Sequence, residues 1–176
     1  MGVIKVGDKV PFDVTFQELA FEDGKSPRGK AKDVSSKSVF DGKKVILFAI
    51  PGAWTSTCTD QHLPSFAAKA DQLKAKGIDI VCTSTNDAYV LGAWGRIIAG
   101  ADVVPSKIRM LADGNSEWAK AIGLSQDLTK VGFGPNRTQR YAMLVDNGVV
   151  KHLGVGDMDQ SGCDAILPKI VGQAMM

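Results

Sequence analysis

Six consecutive apolar residues, Val45-Ile46-Leu47-Phe48-Ala49-Ile50, stop at Pro51-Gly52. A run this short, apolar at every position and closed by two turn residues, predicts a strand buried on both faces, and such a strand needs cover above and below its sheet. Residues 64 to 76, Pro-Ser-Phe-Ala-Ala-Lys-Ala-Asp-Gln-Leu-Lys-Ala-Lys, are rich in helix formers. They predict a helix of about three turns with Phe66, Ala70 and Leu73 on one face and Gly77 at its end. Ile78-Asp79-Ile80-Val81-Cys82-Thr83 is a second buried strand. A strand, helix, strand unit of this length implies parallel pairing through a right-handed crossover.

Downstream, Asn86 is placed to cap a helix carrying Ala88, Val90, Leu91 and Trp94. Ile108 to Leu111 reads as a third strand, followed beyond Asp113-Gly114 by a short helix over Ser116 to Ile122. Tyr141 to Val145 and Val149 to Leu153 flank Asn147-Gly148, a type I′ hairpin signal, and Asp164 to Met175 places Ile166, Leu167, Ile170 and Val171 at helical spacing. This order is that of an α/β chain with the thioredoxin-like fold, a central mixed sheet with flanking helices. At 176 residues the chain reads as one domain, with 1–44 an N-terminal extension of a 45–176 core. Within the extension, Gly24 to Lys30 is a polar loop whose charge run marks a solvated face.

Lys and Arg total 21 against 19 Asp and Glu, a formal charge of +2 that gives no footprint for nucleic acid or an anionic membrane. No stretch reaches the length of a membrane-spanning helix, and Met1 to Lys9 has neither the apolar core nor the cleavage site of a signal peptide. The expectation is a soluble cytoplasmic protein, or an organellar one if a targeting segment has been removed.

Three cysteines are too few, and odd in number, for a disulfide scaffold, so each needs its own explanation. Cys58 lies eight residues beyond Ile50, at the sheet edge outside the carboxyl ends of the strands, where open α/β sheets place their chemistry. Thr57 and Asp60 fit a capping box, which would set Cys58 in a first helical turn whose free N–H groups favour a thiolate. Pro64 lacks the N–H that would bond back to Asp60, so the helix either kinks there or starts there. The commonest fate of a free cysteine is a packed apolar position; the polar, turn-flanked loop sets Cys58 apart.

Thiolate supply has limited reach. A thiol of pKa about 8.5 is about 3% thiolate at pH 7 and one of about 6 is about 90%, roughly a thirty-fold gain, part of which is returned as lower nucleophilicity. Larger accelerations need donors that hold the electrophile and stabilise the departing anion. Thr55 and several arginines are available for this.

The segment Pro51-Gly52-Ala53-Trp54-Thr55-Ser56-Thr57-Cys58 resembles the peroxidatic loop of the peroxiredoxins: Pro, three residues, Thr, two residues, Cys. His62-Leu63-Pro64, Ser84 to Val90, Trp94-Gly95-Arg96 and Arg140 to Val150 are similar to the type II subfamily, and the likeness runs in order from Val45 to Val155. Trp54 stands where the subfamily usually has Phe, and Ser56 where it usually has Pro. The resemblance implies a thiol peroxidase acting on hydrogen peroxide and alkyl hydroperoxides, a homodimer that works without metal, haem or flavin and is recycled by thioredoxin, glutaredoxin or glutathione. It implies Cys58 as the peroxidatic cysteine passing through a sulfenic acid, Thr55 as the hydroxyl that binds peroxide, Arg140 as support for the thiolate and the O–O bond, and Pro51 as a shield from water. Taken alone, these three neighbours would be a loop threonine, a surface arginine and a strand-ending proline.

For the partner of Cys58 three readings stand. Cys163, in the polar run Asp159 to Asp164 that is expected to be exposed, resembles the resolving cysteine of the mammalian atypical two-cysteine enzyme. Cys82 lies on the strand face of Ile78 and Ile80, where a buried thiol is the plain reading, yet the plant type II enzymes carry their second cysteine there. The third reading is a one-cysteine cycle completed by an external thiol. A disulfide needs Cα atoms within about 7 Å, so either internal bond implies local opening around Cys58. His62 follows Cys58 by one helical turn, but with His152 as the other histidine and no close cysteine pair it does not make a zinc site; a hydrogen-bonding or packing role is expected. The rival to the enzyme is a thioredoxin-fold redox sensor or chaperone-like binding protein without peroxidase turnover.

Overall fold

The structure, a computed structural model, describes residues 2–21 and 29–173. The expected polar loop of Gly24 to Lys30 falls largely outside them. The elements run β1 (Thr15–Ala20), β2 (Lys30–Ser35), α1 (Ser36–Phe40), β3 (Lys44–Ala49), a π-helical turn (Cys58–His62), α2 (Leu63–Ala67), α3 (Ala70–Ala75), β4 (Asp79–Ser84), α4 (Ala88–Ala99) and β5 (Ile108–Ala112). They continue with α5 (Glu117–Ala121), β6 (Ser125–Leu128), a 3₁₀ turn (Thr129–Val131), β7 (Gly134–Thr138), β8 (Tyr141–Asp146), β9 (Val149–Val155), α6 (Met158–Ser161) and α7 (Cys163–Gln173).

Seven strands form one mixed sheet in the order β2-β1-β5-β4-β3-β8-β9. β3, β4 and β5 are mutually parallel, as the crossover argument requires, and β8 lies antiparallel to β3 with Phe48 opposite Ala142. The apolar run of β3 is explained by cover on both faces. Ile46, Phe48 and Ile50 join Cys82, Phe66, Leu73, Trp94 and Ile166 in one buried layer; Val45, Leu47 and Ala49 join Phe16, Phe40, Trp118, Tyr141 and Met143 in the other. At Asn147-Gly148 both φ angles are positive, 47° and 76°, the geometry a type I′ turn demands. The N-terminal extension contributes to the same sheet: β1 pairs antiparallel with β5 through Gln17 and Glu18 and with β2 on its other side.

Several local expectations change. The helix over 64–76 is two pieces, α2 and α3, with Lys69 between them at φ −111°, ψ 5°, although Phe66, Ala70 and Leu73 are all buried as the pattern required. The cap of α4 is Asp87, whose side chain accepts from the Val90 N–H, one residue later than the expected Asn86. α4 lies tight on the sheet: a methyl group at Gly95 would meet Met110 Cε at 2.6 Å, and one at Gly92 would meet Leu19 Cβ at 2.7 Å. The hairpin of β6 and β7 and the short α6 are additions, polar in sequence and without an apolar period.

Candidate active site

β3 delivers its chain end to the carboxyl edge of the sheet, where the Ile50 N–H bonds to Thr83 O at 3.0 Å and the backbone turns through Pro51-Gly52. Cross-links from β4 and α4 then hold the loop. Asn86 Oδ1 accepts from the Ala53 N–H at 2.9 Å and from Ser84 Oγ at 2.7 Å, so the residue expected to cap α4 braces the cysteine loop instead. Trp94 Nε1 donates to Thr59 Oγ1 at 3.1 Å. Thr55 donates its hydroxyl proton to Gly52 O at 2.8 Å, which leaves its lone pairs as the hydroxyl's remaining bonding capacity.

Helical geometry starts at Ser56, so Cys58 does sit in a first turn, but the capping box is absent. Thr57 is itself helical (φ −61°, ψ −39°) and makes no side-chain cap bond. A box needs its cap residue outside the helix in extended geometry, and this helix begins two residues too early for that. The turn from Cys58 to His62 is π-helical: the Leu63 N–H bonds to Cys58 O, five residues back. Pro64 is the physical reason, since it cannot donate and its ring would strike the carbonyl four residues before it; one wider turn relieves both problems without ending the helix. The regular α-helix therefore opens at Leu63 with Pro64 in its first turn, close to the start expected there, continuous with the π-helical turn, and Cys58 and His62 are both buried.

The sulfur of Cys58 has no exposed surface, and Arg140 Nη2 donates to it at 3.2 Å. Arg140 stands immediately before β8, the antiparallel neighbour of β3, so strand pairing brings together residues 82 positions apart. Its other nitrogen, Nη1, lies 3.1 Å from His62 Nδ1, and His62 Nε2 lies 2.9 Å from Ser161 O. Arginine has no acceptor, so Nδ1 must be the lone-pair nitrogen and Nε2 must carry the proton given to Ser161. Burial against the stacked rings of Phe48 and Phe66 lowers the His62 pKa to about 4, with the Arg140 charge adding to the fall and the Ser161 bond opposing it. His62 therefore bonds and packs, as expected, and makes no Cys/His pair: the guanidinium, not the imidazole, meets the sulfur.

Arg137 is a neighbour the sequence reading did not single out. It donates from Nη1 to Pro51 O at 3.2 Å and from Nε to Phe133 O at 2.7 Å. Its signal was the spacing Arg137-Thr138-Gln139-Arg140, legible only once β7 is known to turn back toward Pro51.

Cys82 faces the same layer as Cys58 from β4, in register with Phe48, and burial raises its pKa, with the charge of Cys58 adding. Cys163 departs from expectation. It opens α7 and is fully buried rather than exposed, because its side chain joins the apolar layer that holds Phe66, Ala142 and Ile166; its N–H bonds to Ser65 Oγ at 3.3 Å. Burial pushes its thiol up to about 12, Asp164 adding and Lys69 opposing. A surface cavity of about 390 Å³ lined by Ser65, Met158, Asp159, Gly162 and Cys163 adjoins it. All three cysteines are free thiols.

A family model described as Redoxin matches residues 5–167. Peroxiredoxin-2C of Oryza sativa subsp. japonica is 39% identical over 171 residues, covering 95% of this chain and 98% of the relative. The chloroplastic peroxiredoxin-2E of Arabidopsis thaliana is 43% identical over 155 residues, 86% of this chain; the match spans only 62% of that longer protein, less than two thirds. Among solved structures, reduced Prx3 from Vibrio vulnificus in complex with H2O2 aligns at a TM-score of 0.81 and 38% identity, covering 99% of this chain and all of that one.

Proposed function

The chain belongs to the peroxiredoxin family, in its type II branch, and on that premise we propose that it is a thiol peroxidase with Cys58 as the reactive sulfur. The observation that carries this reading is the 3.2 Å bond from Arg140 Nη2 to the buried Cys58 sulfur. A positive donor held on a sulfur away from bulk water is suited to a thiolate and to the charge that leaves during peroxide cleavage.

The thiolate attacks the terminal oxygen of a hydroperoxide. An S–O bond forms, the O–O bond breaks, and the leaving alkoxide or hydroxide takes up a proton to depart as alcohol or water; the sulfur, oxidised by two electrons, becomes a sulfenic acid. Thr55, its proton already given to Gly52 O, offers lone pairs to the peroxide O–H and so orients the substrate for in-line attack. Arg140 supports the thiolate first and the polarised O–O bond next, while Pro51 limits water. A thiol then attacks the sulfenic acid, releasing water and forming a disulfide, and a second thiol equivalent restores Cys58. Sulfur carries both electrons, so the cycle calls for no metal, haem or flavin.

Cys163 is the internal candidate for the first of these thiols, and its burial makes opening of the α6 and α7 corner a required step. Cys82, held within a central strand, is the weaker internal candidate; an external thiol needs access to Cys58 alone. Thioredoxin, glutaredoxin or glutathione supplies the reducing thiol. The protein works as a homodimer, for which exposed Trp54, Tyr89 and Val90 beside the loop braced by Asn86 offer an apolar surface.

Intact mass after one equivalent of peroxide, followed by peptide mapping, tests the reading. Loss of two hydrogens in a Cys58–Cys163 link supports internal resolution, and one added oxygen on Cys58 supports an external thiol. Peroxide consumption that stops at one equivalent per chain, whatever thiol is supplied, would leave a redox sensor and overturn the enzyme.

A further inference from the structure

Arg140 makes a single contact with the Cys58 sulfur, and a lone arginine side chain has several rotamers through which that contact can be lost. What holds it is a continuous hydrogen-bonded line: Ser161 carbonyl, His62 Nε2–H at 2.9 Å, His62 Nδ1, Arg140 Nη1–H at 3.1 Å, and Arg140 Nη2–H to Cys58 Sγ at 3.2 Å. Both ends of the imidazole are engaged, and the ring packs tilted against the stacked pair Phe48 and Phe66, at centroid separations of 5.1 and 5.8 Å. No salt bridge ties Arg140 to a carboxylate among the described residues.

We propose that His62 is a positioning residue for peroxide reduction: as a neutral imidazole anchored on Ser161 O, it selects the Arg140 rotamer that meets the Cys58 sulfur. This deepens, and rests on, the reading of Cys58 as the reactive sulfur. Neutrality is essential to the device, because a protonated ring would present an N–H to a guanidinium N–H and break the line. Burial supplies that neutrality. A carboxylate in the same place would hold Arg140 more tightly, but it would also neutralise the charge offered to sulfur; an imidazole orients the guanidinium and leaves its charge intact.

The line also runs through Ser161, two residues before Cys163. Opening the α6 and α7 corner withdraws the acceptor from His62 Nε2, so the conformation that reduces peroxide and the one that exposes Cys163 exclude each other at this bond.

The test uses the two ends of the ring separately. In His62→Asn the amide oxygen occupies the place of Nδ1 and can accept from Arg140, but nothing reaches Ser161. In His62→Gln the terminal amide reaches the place of Nε2 and can donate to Ser161 O, but the Nδ1 acceptor is gone. His62→Phe keeps ring packing alone. The readout is the second-order rate constant for oxidation of Cys58 by hydrogen peroxide, with thermal melts on each variant. Retention of the Arg140 contact predicts that His62→Asn stays within about threefold of wild type while His62→Gln and His62→Phe fall by about tenfold, the scale of a misplaced catalytic group. Cavity formation predicts the reverse order in the melts, with Asn the least stable.

A rate order that follows the melts, or Gln and Phe variants as fast as wild type, overturns the proposal. Should His62→Asn not fold, the comparison of His62→Gln with wild type decides: a wild-type rate overturns it and a tenfold loss supports it when His62→Gln combined with Arg140→Lys is no slower than Arg140→Lys alone. Wild-type protein whose Cys58 does not react with peroxide overturns the functional reading beneath the proposal, which is a separate result from equal rates among reacting variants.

Discussion

Two cysteines in this molecule lie in the first turn of a helix and are wholly buried, and their surroundings are opposite. Cys58 enters the π-helical turn with an arginine N–H on its sulfur. Cys163 opens α7 with Asp164 beside it, and burial drives its thiol up to about 12. A helix N-terminus is common to both, so the dipole alone does not separate them. The difference is a cation from a distant strand at one sulfur and an adjacent carboxylate, with no cation strong enough to offset burial, at the other.

Removing the favoured sulfur tests this contrast most severely. Cys58→Ser should reduce peroxide consumption in a coupled thiol assay to background, whereas Cys163→Ser should leave the first oxidation of Cys58 within about twofold and slow only later turnovers if Cys163 resolves. Equal losses in the two variants would erase the distinction. Removing the cation comes next: Arg140→Leu should lower the rate of Cys58 oxidation by about a hundredfold or more, as loss of a charged donor in a buried site does, while far-ultraviolet circular dichroism stays unchanged.

The disfavoured sulfur gives a pH signature. A thiol of pKa about 12 is about one part in ten thousand thiolate at pH 8, and alkylation of Cys163 by iodoacetamide in the folded, reduced protein should keep rising above pH 9, where an exposed cysteine levels off. The sign for stability follows from the same shift. Because the folded state raises this pKa above the unfolded value, the contribution is complete below about pH 8.5 and is lost as pH rises toward 12; Cys163→Ala should flatten that decline in urea melts. The smallest effect concerns the helix starts. Asp87→Ala, which removes a true cap bond to Val90 N, should cost about 1 kcal/mol, and Thr57→Ala, which removes none, less than about 0.5 kcal/mol.

Much of this architecture was legible because its causes are local. The apolar run of β3, the second run of β4 and the Asn147-Gly148 turn each carry their instruction within a few residues, in hydrophobic continuity or in backbone angles that few residue types adopt. The loop from Pro51 to Cys58 was legible through its resemblance to a family. Thr57-Asp60 misled, since a capping box and a helix that starts at Ser56 share the same letters, and the choice was made by the π-turn that accommodates Pro64. Asn86 misled for a related reason: a cap amide and a loop brace are the same side chain, and Ala53 claimed it. The β6 and β7 hairpin, which delivers Arg137 to Pro51, has polar strands without alternation and offered no periodic signal.

By itself the sequence determined the mixed sheet, the order of its central elements, and the presence of a cysteine at the edge where such sheets place chemistry, because each follows from periodicity, turn residues and chain direction. Only the tertiary structure decided which group meets that cysteine. His62, four residues away, holds the arginine; Arg140, 82 residues away, touches the sulfur. It also decided that Cys163, polar in its sequence neighbourhood, is buried. Burial and hydrogen-bond partners at these sites are set by which elements pair and cover one another, and no stretch of neighbouring residues contains that information.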